Sequence, residues 1–105
     1  MLAHERASGE AIRVEPAAAF VFVGLDPNTA FLRGSVDLDE RGFVRTVDGY
    51  RTSLDGLFAA GDVRAGSTKQ VGAASGEGIA ALLAVRRWLE DRHEMARLTM
   101  DEAMA

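Results

Sequence analysis

The chain has 105 residues, of which 48% are hydrophobic, with a net charge of −4 and no cysteine. This length fits one domain or less. The acidic balance without a basic patch argues against a nucleic-acid surface, and the lack of cysteine excludes a disulfide scaffold or a thiolate metal site. No apolar run approaches the roughly 20 residues that span a bilayer. The N-terminal residues, with Glu5 and Arg6, lack the apolar segment of a secretory signal, so we expect a cytoplasmic protein.

The first third of the chain predicts one buried strand between two polar segments. Residues 1–9 are polar and predict a loop, and residues 11–14 predict the end of a strand. The continuous apolar run at 18–23 has the length of a strand buried on both faces. Turn chemistry follows at 26–28, and residues 30–32 predict one helical turn that ends before Gly34.

The middle of the chain predicts a hairpin and a second buried strand. Residues 36–38 and 43–47 read as two strands, and the loop between them contains Gly42. Asp48 and Gly49 predict another turn. The short apolar run at 56–60 then predicts a strand inside an α/β sheet.

A long helix is predicted from Lys69 to Leu89, with Ser67 or Thr68 as its N-cap. Its apolar residues recur at helical spacing after Ile79. Residues 91–105 are charged or rich in Met and Ala and predict a frayed tail. His4 and His93 lie far apart in the two predicted tails, and two distant histidines do not form a metal site.

The first half of this helix contains three glycines, each of which costs a helix roughly 1 kcal/mol relative to alanine. They are Gly72, Gly76 and Gly78. Two interpretations remain open: a bare backbone lets a cofactor approach closely, or it permits close packing of helix on sheet. Glu77 lies between two of these glycines, and its position favours a solvated surface charge over an interface residue.

The segment from Leu57 to Asp62 carries the strongest chemical signal in the chain. A short apolar run ends on Gly61, where the backbone can turn or approach a ligand closely. Asp62 then places a carboxylate at the carboxyl end of the predicted strand, where open α/β sheets bind their ligands. Such a carboxylate accepts hydrogen bonds from ribose or ribityl hydroxyls. The alternative is a loop-capping aspartate.

The neighbouring residues resemble the second flavin-binding motif of the thioredoxin reductase family of flavoprotein disulfide reductases. The matching positions are Thr52, Gly56, Phe58, Ala59, Gly61 and Asp62. A second match, Gly24-Leu25-Asp26-Pro27-Asn28-Thr29, resembles the turn that leads the family's chain from the nicotinamide domain back into the flavin domain. The resemblance covers roughly residues 10–93. It implies an α/β fold: the C-terminal half of an FAD-binding Rossmann-like domain with a β-hairpin and a long C-terminal helix.

The chain lacks both Gly-x-Gly-x-x-Gly fingerprints and the Cys-x-x-Cys of that family. The resemblance therefore implies the C-terminal third of such an enzyme, inactive by itself. It divides the chain into residues 1–33, the end of the NAD(P)-binding domain and the crossover, residues 34–93, the C-terminal part of the FAD-binding domain, and a tail at 94–105.

The resemblance also assigns cofactor contacts. Gly61 and Asp62 lie at the ribityl chain of FAD, and Gln70 and Val71 donate backbone N–H groups to the flavin ring. The helix dipole there favours negative charge on the reduced ring. Lys69 or Gln70 adds a side-chain contact, although the family's common members have arginine where Lys69 stands. No catalytic residue is assigned in this segment.

The implied parent function is transfer of electrons from NAD(P)H through FAD to a disulfide acceptor such as thioredoxin, in a homodimer with no nucleic-acid or membrane partner. Two alternatives stay open. The chain is a non-catalytic module for dimerisation or packing, or it belongs to an enzyme like the ferredoxin–NADP reductases, which keep FAD and use another acceptor.

Overall fold

The computed structural model describes residues 1–105. A two-stranded antiparallel sheet opens the chain, formed by β1 (Leu2–His4) and β2 (Ala11–Arg13), with Leu2 opposite Arg13. Single 3-10 turns and one long helix follow: the first turn is Ala30–Leu32, the second Asp48–Tyr50, the third Gly61–Val63, and the helix is α1 (Val71–Met104). The strand end predicted at 11–14 and the helical turn at 30–32 are confirmed. The loop predicted over residues 1–9 is wrong at β1, because β2 pairs with it.

The molecule is elongated, with principal extents of 83 × 28 × 17 Å and a radius of gyration of 22.5 Å. A compact domain of this length has a radius of gyration of about 13 Å. Its core is correspondingly thin and lies between the middle of the chain and one face of α1. The buried residues are Thr29, Val36, Phe43, Val44, Thr52, Gly61 and Ala81.

The predicted hairpin is present in a reduced form, as a single antiparallel bridge between Leu38 and Val44. The Asp39 carboxylate organises its loop, since it accepts hydrogen bonds from the backbone N–H groups of Arg41 at 2.9 Å and Phe43 at 2.8 Å. Val44 also pairs in parallel with Arg64 and is 2% exposed. The hairpin therefore anchors the loop that follows the third 3-10 turn.

The buried strand predicted at 56–60 is wrong in extent, because only Phe58 pairs, with Arg51. The strand predicted at 18–23 is also wrong: no strand forms there, and Phe20, Val21, Phe22 and Val23 are 79–92% exposed. A strand needs neighbours to take up its backbone groups and cover its side chains. No other segment of this chain lies beside residues 18–23 to do so.

The long helix differs from its prediction at both ends. Its N-cap is Gln70, without a side-chain hydrogen bond, and neither Ser67 nor Thr68 caps it. Lys69 has a φ of +57°, outside the helical region, so the helix cannot begin there. The predicted frayed tail is helical to Met104. Residues 90–104 are mostly Glu, Arg, Leu, Met and Ala, which have high helix propensity.

Trp88 joins the middle of α1 to the loop between Thr52 and Phe58. Its ring meets Phe58 edge to face at 6.2 Å between centroids, and its indole N–H donates to Asp55 at 3.0 Å. Arg92 forms an ion pair with the same carboxylate at 2.9 Å. Gly56 has a φ of +81°, and a Cβ there would lie 3.1 Å from the Trp88 ring. Both its conformation and this contact disfavour a residue with a side chain at this position.

Candidate functional site

The candidate site is centred on the third 3-10 turn, Gly61–Val63, which packs against the first turns of α1. Gly61 is buried with a φ of +81°, and a Cβ on it would lie 3.5 Å from the Cβ of Ala74. This φ is one that residues with a side chain rarely adopt. The glycine thus allows the turn to lie directly on the helix, with Asp62 at its apex.

Asp62 has an exposed side chain at this turn. Around it, the Gly61 N–H donates to Glu77, and further side-chain hydrogen bonds link Arg64 and Lys69 to their neighbours. None of these bonds involves the Asp62 carboxylate. The carboxylate therefore does not cap the loop, and both of its oxygens are available to a ligand hydroxyl.

The N-terminus of α1 is the second part of the site. Gln70 has extended backbone angles, and the first bond of the helix runs from the Ala74 N–H to the Gln70 carbonyl at 2.9 Å. The N–H groups of Val71, Gly72 and Ala73 thus have no acceptor within the helix. A Cβ on Gly72 would meet nothing within 4 Å. Free donors in open space at the positive end of a helix suit an electron-rich oxygen.

The three helix glycines face open space. A Cβ added at Gly72, Gly76 or Gly78 would have no heavy atom within 4 Å. Close packing of helix on sheet within this chain therefore does not explain them. Close approach of a cofactor stays a prediction.

An ion pair that the sequence interpretation missed holds the turn on the helix. The Glu77 carboxylate accepts hydrogen bonds from the Gly61 N–H at 2.8 Å and from Arg64 Nε at 2.9 Å, and its other oxygen pairs with a terminal nitrogen of Arg64. The two side chains are 11% and 22% exposed. The interpretation of Glu77 as a solvated surface charge is wrong. Its two glycine neighbours face open space and gave no signal of this contact.

The ion pair shifts both ionisation equilibria. Hydrogen bonds from Arg64 lower the pKa of Glu77 below its ordinary range, and the Gly61 N–H acts in the same direction, while burial opposes them. The same pairing with Glu77 raises the pKa of Arg64. Both groups are therefore charged at neutral pH, and the turn carries a fixed internal ion pair beside the free Asp62.

Lys69 lies between the turn and the helix and is bound by protein groups. Its Nζ donates to the Arg64 carbonyl and to the Ser67 hydroxyl, each at 2.9 Å, and lies 3.9 Å from the centre of the Phe43 ring. The cation thus has two acceptors and an aromatic face within this chain. The predicted flavin contacts of Lys69 and Gln70 remain predictions, whereas the geometry of Lys69 is that of a loop brace.

A large polar groove lies elsewhere in the molecule. It has a volume of about 1040 Å³, is lined by residues 26–30, 33–42 and Arg45, and includes none of the predicted site residues. Only 3 of its 16 lining residues are hydrophobic. Small-molecule pockets are mostly apolar, so this groove is a weaker candidate than the turn and helix terminus at Asp62.

Acidic and histidine side chains do not converge elsewhere in the molecule. No group of three or more His, Asp or Glu side chains is arranged to hold a metal ion. No helix of the molecule combines the length and the apolar character required to cross a bilayer.

Comparison with known proteins identifies the group to which the sequence belongs. Residues 4–78 match the pyridine nucleotide-disulphide oxidoreductase family. The thioredoxin reductase of Mycolicibacterium smegmatis is 40% identical over 87 residues, which are 81% of this chain and 28% of that protein. The thioredoxin reductase of Chlamydia trachomatis serovar D is 46% identical over 79 residues, 74% of this chain and 25% of that protein.

Solved structures agree with the sequence matches. The thioredoxin reductase of Streptococcus pyogenes MGAS5005 superposes with a TM-score of 0.72 at 32% identity, over 86% of this chain and 29% of that one. The thioredoxin reductase of T. acidophilum superposes with a TM-score of 0.67 at 37% identity over the same shares. The chain spans about a quarter of the length of the relatives that it matches. The family resemblance of the sequence is confirmed, and the chain belongs to the pyridine nucleotide-disulphide oxidoreductases, with a thioredoxin reductase-like sequence and an α/β fold.

Proposed function

We propose that this chain supplies the flavin-facing part of a thioredoxin reductase-like oxidoreductase that passes electrons from NAD(P)H through FAD to a disulfide acceptor. One observation carries the proposal: a free carboxylate at Asp62 and the uncapped N-terminus of α1 lie on a turn and a helix that pack directly together. The same two features are the ones that the family resemblance assigns to the flavin.

The donor set fits FAD. The Asp62 carboxylate accepts hydrogen bonds from ribityl hydroxyls, and a bond of this kind to a charged group is about twice as strong as a neutral one. The backbone N–H groups of Gln70 and Val71 would donate to oxygen and nitrogen atoms of the ring. FAD, when bound, supplies two-electron redox chemistry between a hydride donor and a disulfide. The helix N-terminus stabilises the negative charge that the ring gains on reduction.

The division of the chain follows from this assignment. Residues 1–33 would end the NAD(P)-binding domain and cross over, residues 34–93 would complete the FAD-binding domain, and residues 94–105 would extend α1. Thioredoxin or another redox protein would be the acceptor, and the complete enzyme would form a homodimer. Because the sequence lacks both Gly-rich pyrophosphate fingerprints, we expect the purified chain to lose FAD on gel filtration and to be colourless.

A chimaera tests the proposal. Residues 10–93 replace the matching segment of the Mycolicibacterium smegmatis thioredoxin reductase, and the purified protein is assayed for FAD content and NADPH-dependent reduction of a disulfide. We expect about one FAD per chain. Asp62→Ala should then weaken flavin retention roughly ten- to a hundredfold, as the loss of a charge-assisted bond requires. A chimaera that is folded by circular dichroism but binds no FAD contradicts the proposal, as does unchanged flavin affinity in Asp62→Ala.

The exposed apolar run at 18–23 supports a second candidate, a non-catalytic packing module. Four consecutive apolar side chains in solvent form a surface that favours association with another chain. This candidate predicts association without flavin binding. The chimaera distinguishes the two, because a packing module would give no flavin-dependent activity.

A further inference from the structure

Three charged side chains tie together the two ends of the loop that carries the candidate site. They are Arg64, Lys69 and Glu77, here named the loop clamp. We infer that the loop clamp positions the Asp62 carboxylate relative to the N-terminus of α1, and so sets the geometry of the flavin site. This inference rests on the proposed function.

The first end of the loop is held from the helix. Glu77, nearly two turns into α1, accepts the Gly61 N–H at 2.8 Å. This bond holds the peptide group between Ala60 and Gly61 against the helix, and Asp62 is the next residue along the chain. Arg64, two residues further on, is bound to the same carboxylate through Nε at 2.9 Å. The residues on both sides of Asp62 are therefore attached to one helix side chain.

The second end of the loop, at Lys69, is bound to the first end, at Arg64. Lys69 Nζ donates to the Arg64 carbonyl at 2.9 Å, and the Lys69 backbone has a φ of +57°, which residues with a side chain rarely adopt. A second bond to Ser67 and the Phe43 ring hold the cation in place. Val71, the first residue of α1, is two positions beyond Lys69. A single connected path thus runs from Glu77 through Arg64 and Lys69 to the helix start.

Burial and charge separate this arrangement from an ordinary surface ion pair. The side chains of Arg64 and Glu77 are 22% and 11% exposed, whereas those of Arg86 and Glu90, an i,i+4 pair on the same helix, are 74% and 58% exposed. Exposed pairs hold no fixed geometry because solvent competes with them. Donors and acceptors that are already oriented before a ligand binds lower the cost of binding it. None of the three clamp side chains needs to touch the flavin to have this effect.

The groups around Glu77 allow its protonation state to be followed experimentally. Arg64 and Lys69 face it from the loop, Arg64 in turn lies 5.3 Å from the centre of the Tyr50 ring, and Gly61 donates its N–H. The Gly61 amide resonance therefore reports the protonation state of Glu77. No variant is needed for that measurement.

The experiment uses the 105-residue chain labelled with ¹⁵N, in the wild-type form, as Glu77→Gln, and as the matched control Glu90→Gln. The Gly61 amide shift is followed from pH 7 to pH 2.5, and its hydrogen exchange is measured at neutral pH. FAD at millimolar concentration is then added, and the shifts of the Asp62 and Val71 amides are recorded. Arg64→Lys serves as a second variant, because lysine keeps the charge but loses the planar fork.

The inference predicts a Gly61 titration with a midpoint below that of an ordinary glutamate, absent in Glu77→Gln and unchanged in Glu90→Gln. It predicts Gly61 exchange roughly tenfold faster in Glu77→Gln and an FAD affinity several-fold weaker. Arg64→Lys should lie between wild type and Glu77→Gln in both measurements.

Four results would overturn the inference. If the Gly61 amide does not titrate in the wild type, or if it exchanges at the same rate in Glu77→Gln as in the wild type, the loop clamp does not form in solution. If Gly61 exchanges faster in Glu77→Gln but FAD shifts the Asp62 and Val71 amides as in the wild type, the ion pair stabilises the loop without positioning the flavin site. Absence of FAD shifts at both amides in the wild-type chain also rejects the positioning role. Failure of the proposed function is distinguishable, because it is measured on another protein, as a folded chimaera that binds no FAD.

Discussion

Two apolar runs in this chain have similar composition, but one is exposed to solvent and the other packs against α1. In residues 18–23, Phe22 is 92% exposed, and no other segment pairs with its backbone. In residues 57–62, Phe58 is half-buried against Trp88, and its backbone pairs with Arg51. The second run differs because α1 covers it. An apolar run becomes a structural element only when another part of the molecule supplies a face for it to pack on.

The contacts of the candidate site at Asp62 also differ from those of residues 18–23. The side chains of Lys69 and Glu77, which fix the Asp62 turn, lie within ten residues of the turn or on the first turns of α1, and Val44 of the hairpin bonds to the backbone of Val63. Those contacts form within this chain, whereas the partners of residues 18–23 do not. We therefore expect substitutions near α1 to change folding stability and substitutions at 18–23 to leave it nearly unchanged.

The largest expected effect is that of Trp88→Ala. Removing the indole uncovers Phe58 and Gly56 and leaves the Asp55 carboxylate without the indole N–H. Because Trp88 is only half-buried, we expect a loss at the lower end of the range for large-to-small changes, about 2–3 kcal/mol. Urea unfolding followed by circular dichroism measures it. Phe22→Ala is the control from the uncovered run, with an expected change within about 0.5 kcal/mol. Equal losses in the two variants would refute the distinction between the two runs.

The next effect compares two glycines of the site. Gly61→Ala places a Cβ on a residue with a φ of +81°, and we expect a loss of about 1–2 kcal/mol. Gly76→Ala adds a Cβ in open space within α1, and we expect a gain of up to about 1 kcal/mol. Thermal unfolding of both variants provides the measurement. A gain in Gly61→Ala would show that the turn does not require its left-handed backbone.

Glu77 gives a prediction with a defined pH dependence. Its pKa is lower in the folded chain than in the unfolded chain, chiefly because of the hydrogen bonds from Arg64. The unfolded chain therefore takes up the proton at higher pH. The ion pair contributes its full stability above the unfolded value of about 4.3, and the contribution is lost as the pH falls through the lower folded value.

The measurement is unfolding free energy between pH 7 and pH 3 for wild type and Glu77→Gln. We expect the variant to be less stable by about 1 kcal/mol at pH 7 and the difference to shrink with acidification. The control, Glu90→Gln, removes an exposed pair and should change little at any pH. A difference between wild type and Glu77→Gln that stays constant with pH would contradict the assigned ionisation.

The sequence predicted the local elements well where short-range chemistry decides them. The turn at Ala30–Leu32, the hairpin loop with Gly42, and the Gly61-Asp62 turn all follow from residues within a few positions of each other. The contact between Arg64 and Glu77 spans 13 residues and depends on how the loop lies on the helix. Periodicity shows which residues share a helix face but not which loop covers that face.

The errors at the ends of α1 have a different origin. Propensity predicted an N-cap at Ser67 or Thr68, but the left-handed Lys69 delays the start of the helix. The bonds of Lys69 to Arg64 and Ser67 hold it there, and they form only in the folded loop. Fraying was predicted at residues 91–105 from their charged, Met- and Ala-rich composition. The high helix propensity of these same residues and the preceding turns instead continue the helix to Met104.

The smallest effect on folding concerns the uncovered run itself. Phe22→Lys places a charge among four apolar side chains that solvent already surrounds, so the free energy of unfolding of the monomer should change by less than about 0.5 kcal/mol. Association should respond more, since an exposed apolar strand pairs with other chains and a lysine on it opposes that pairing. Sedimentation velocity at several concentrations should show a wild-type chain that self-associates and a Phe22→Lys chain that remains closer to monomer. Leu98→Lys, an equally drastic change at an exposed position of α1, is the control and should leave association as in wild type. A wild-type chain that is monomeric at every concentration would mean that residues 18–23 stay uncovered without consequence, and the comparison between the two runs would then concern folding alone.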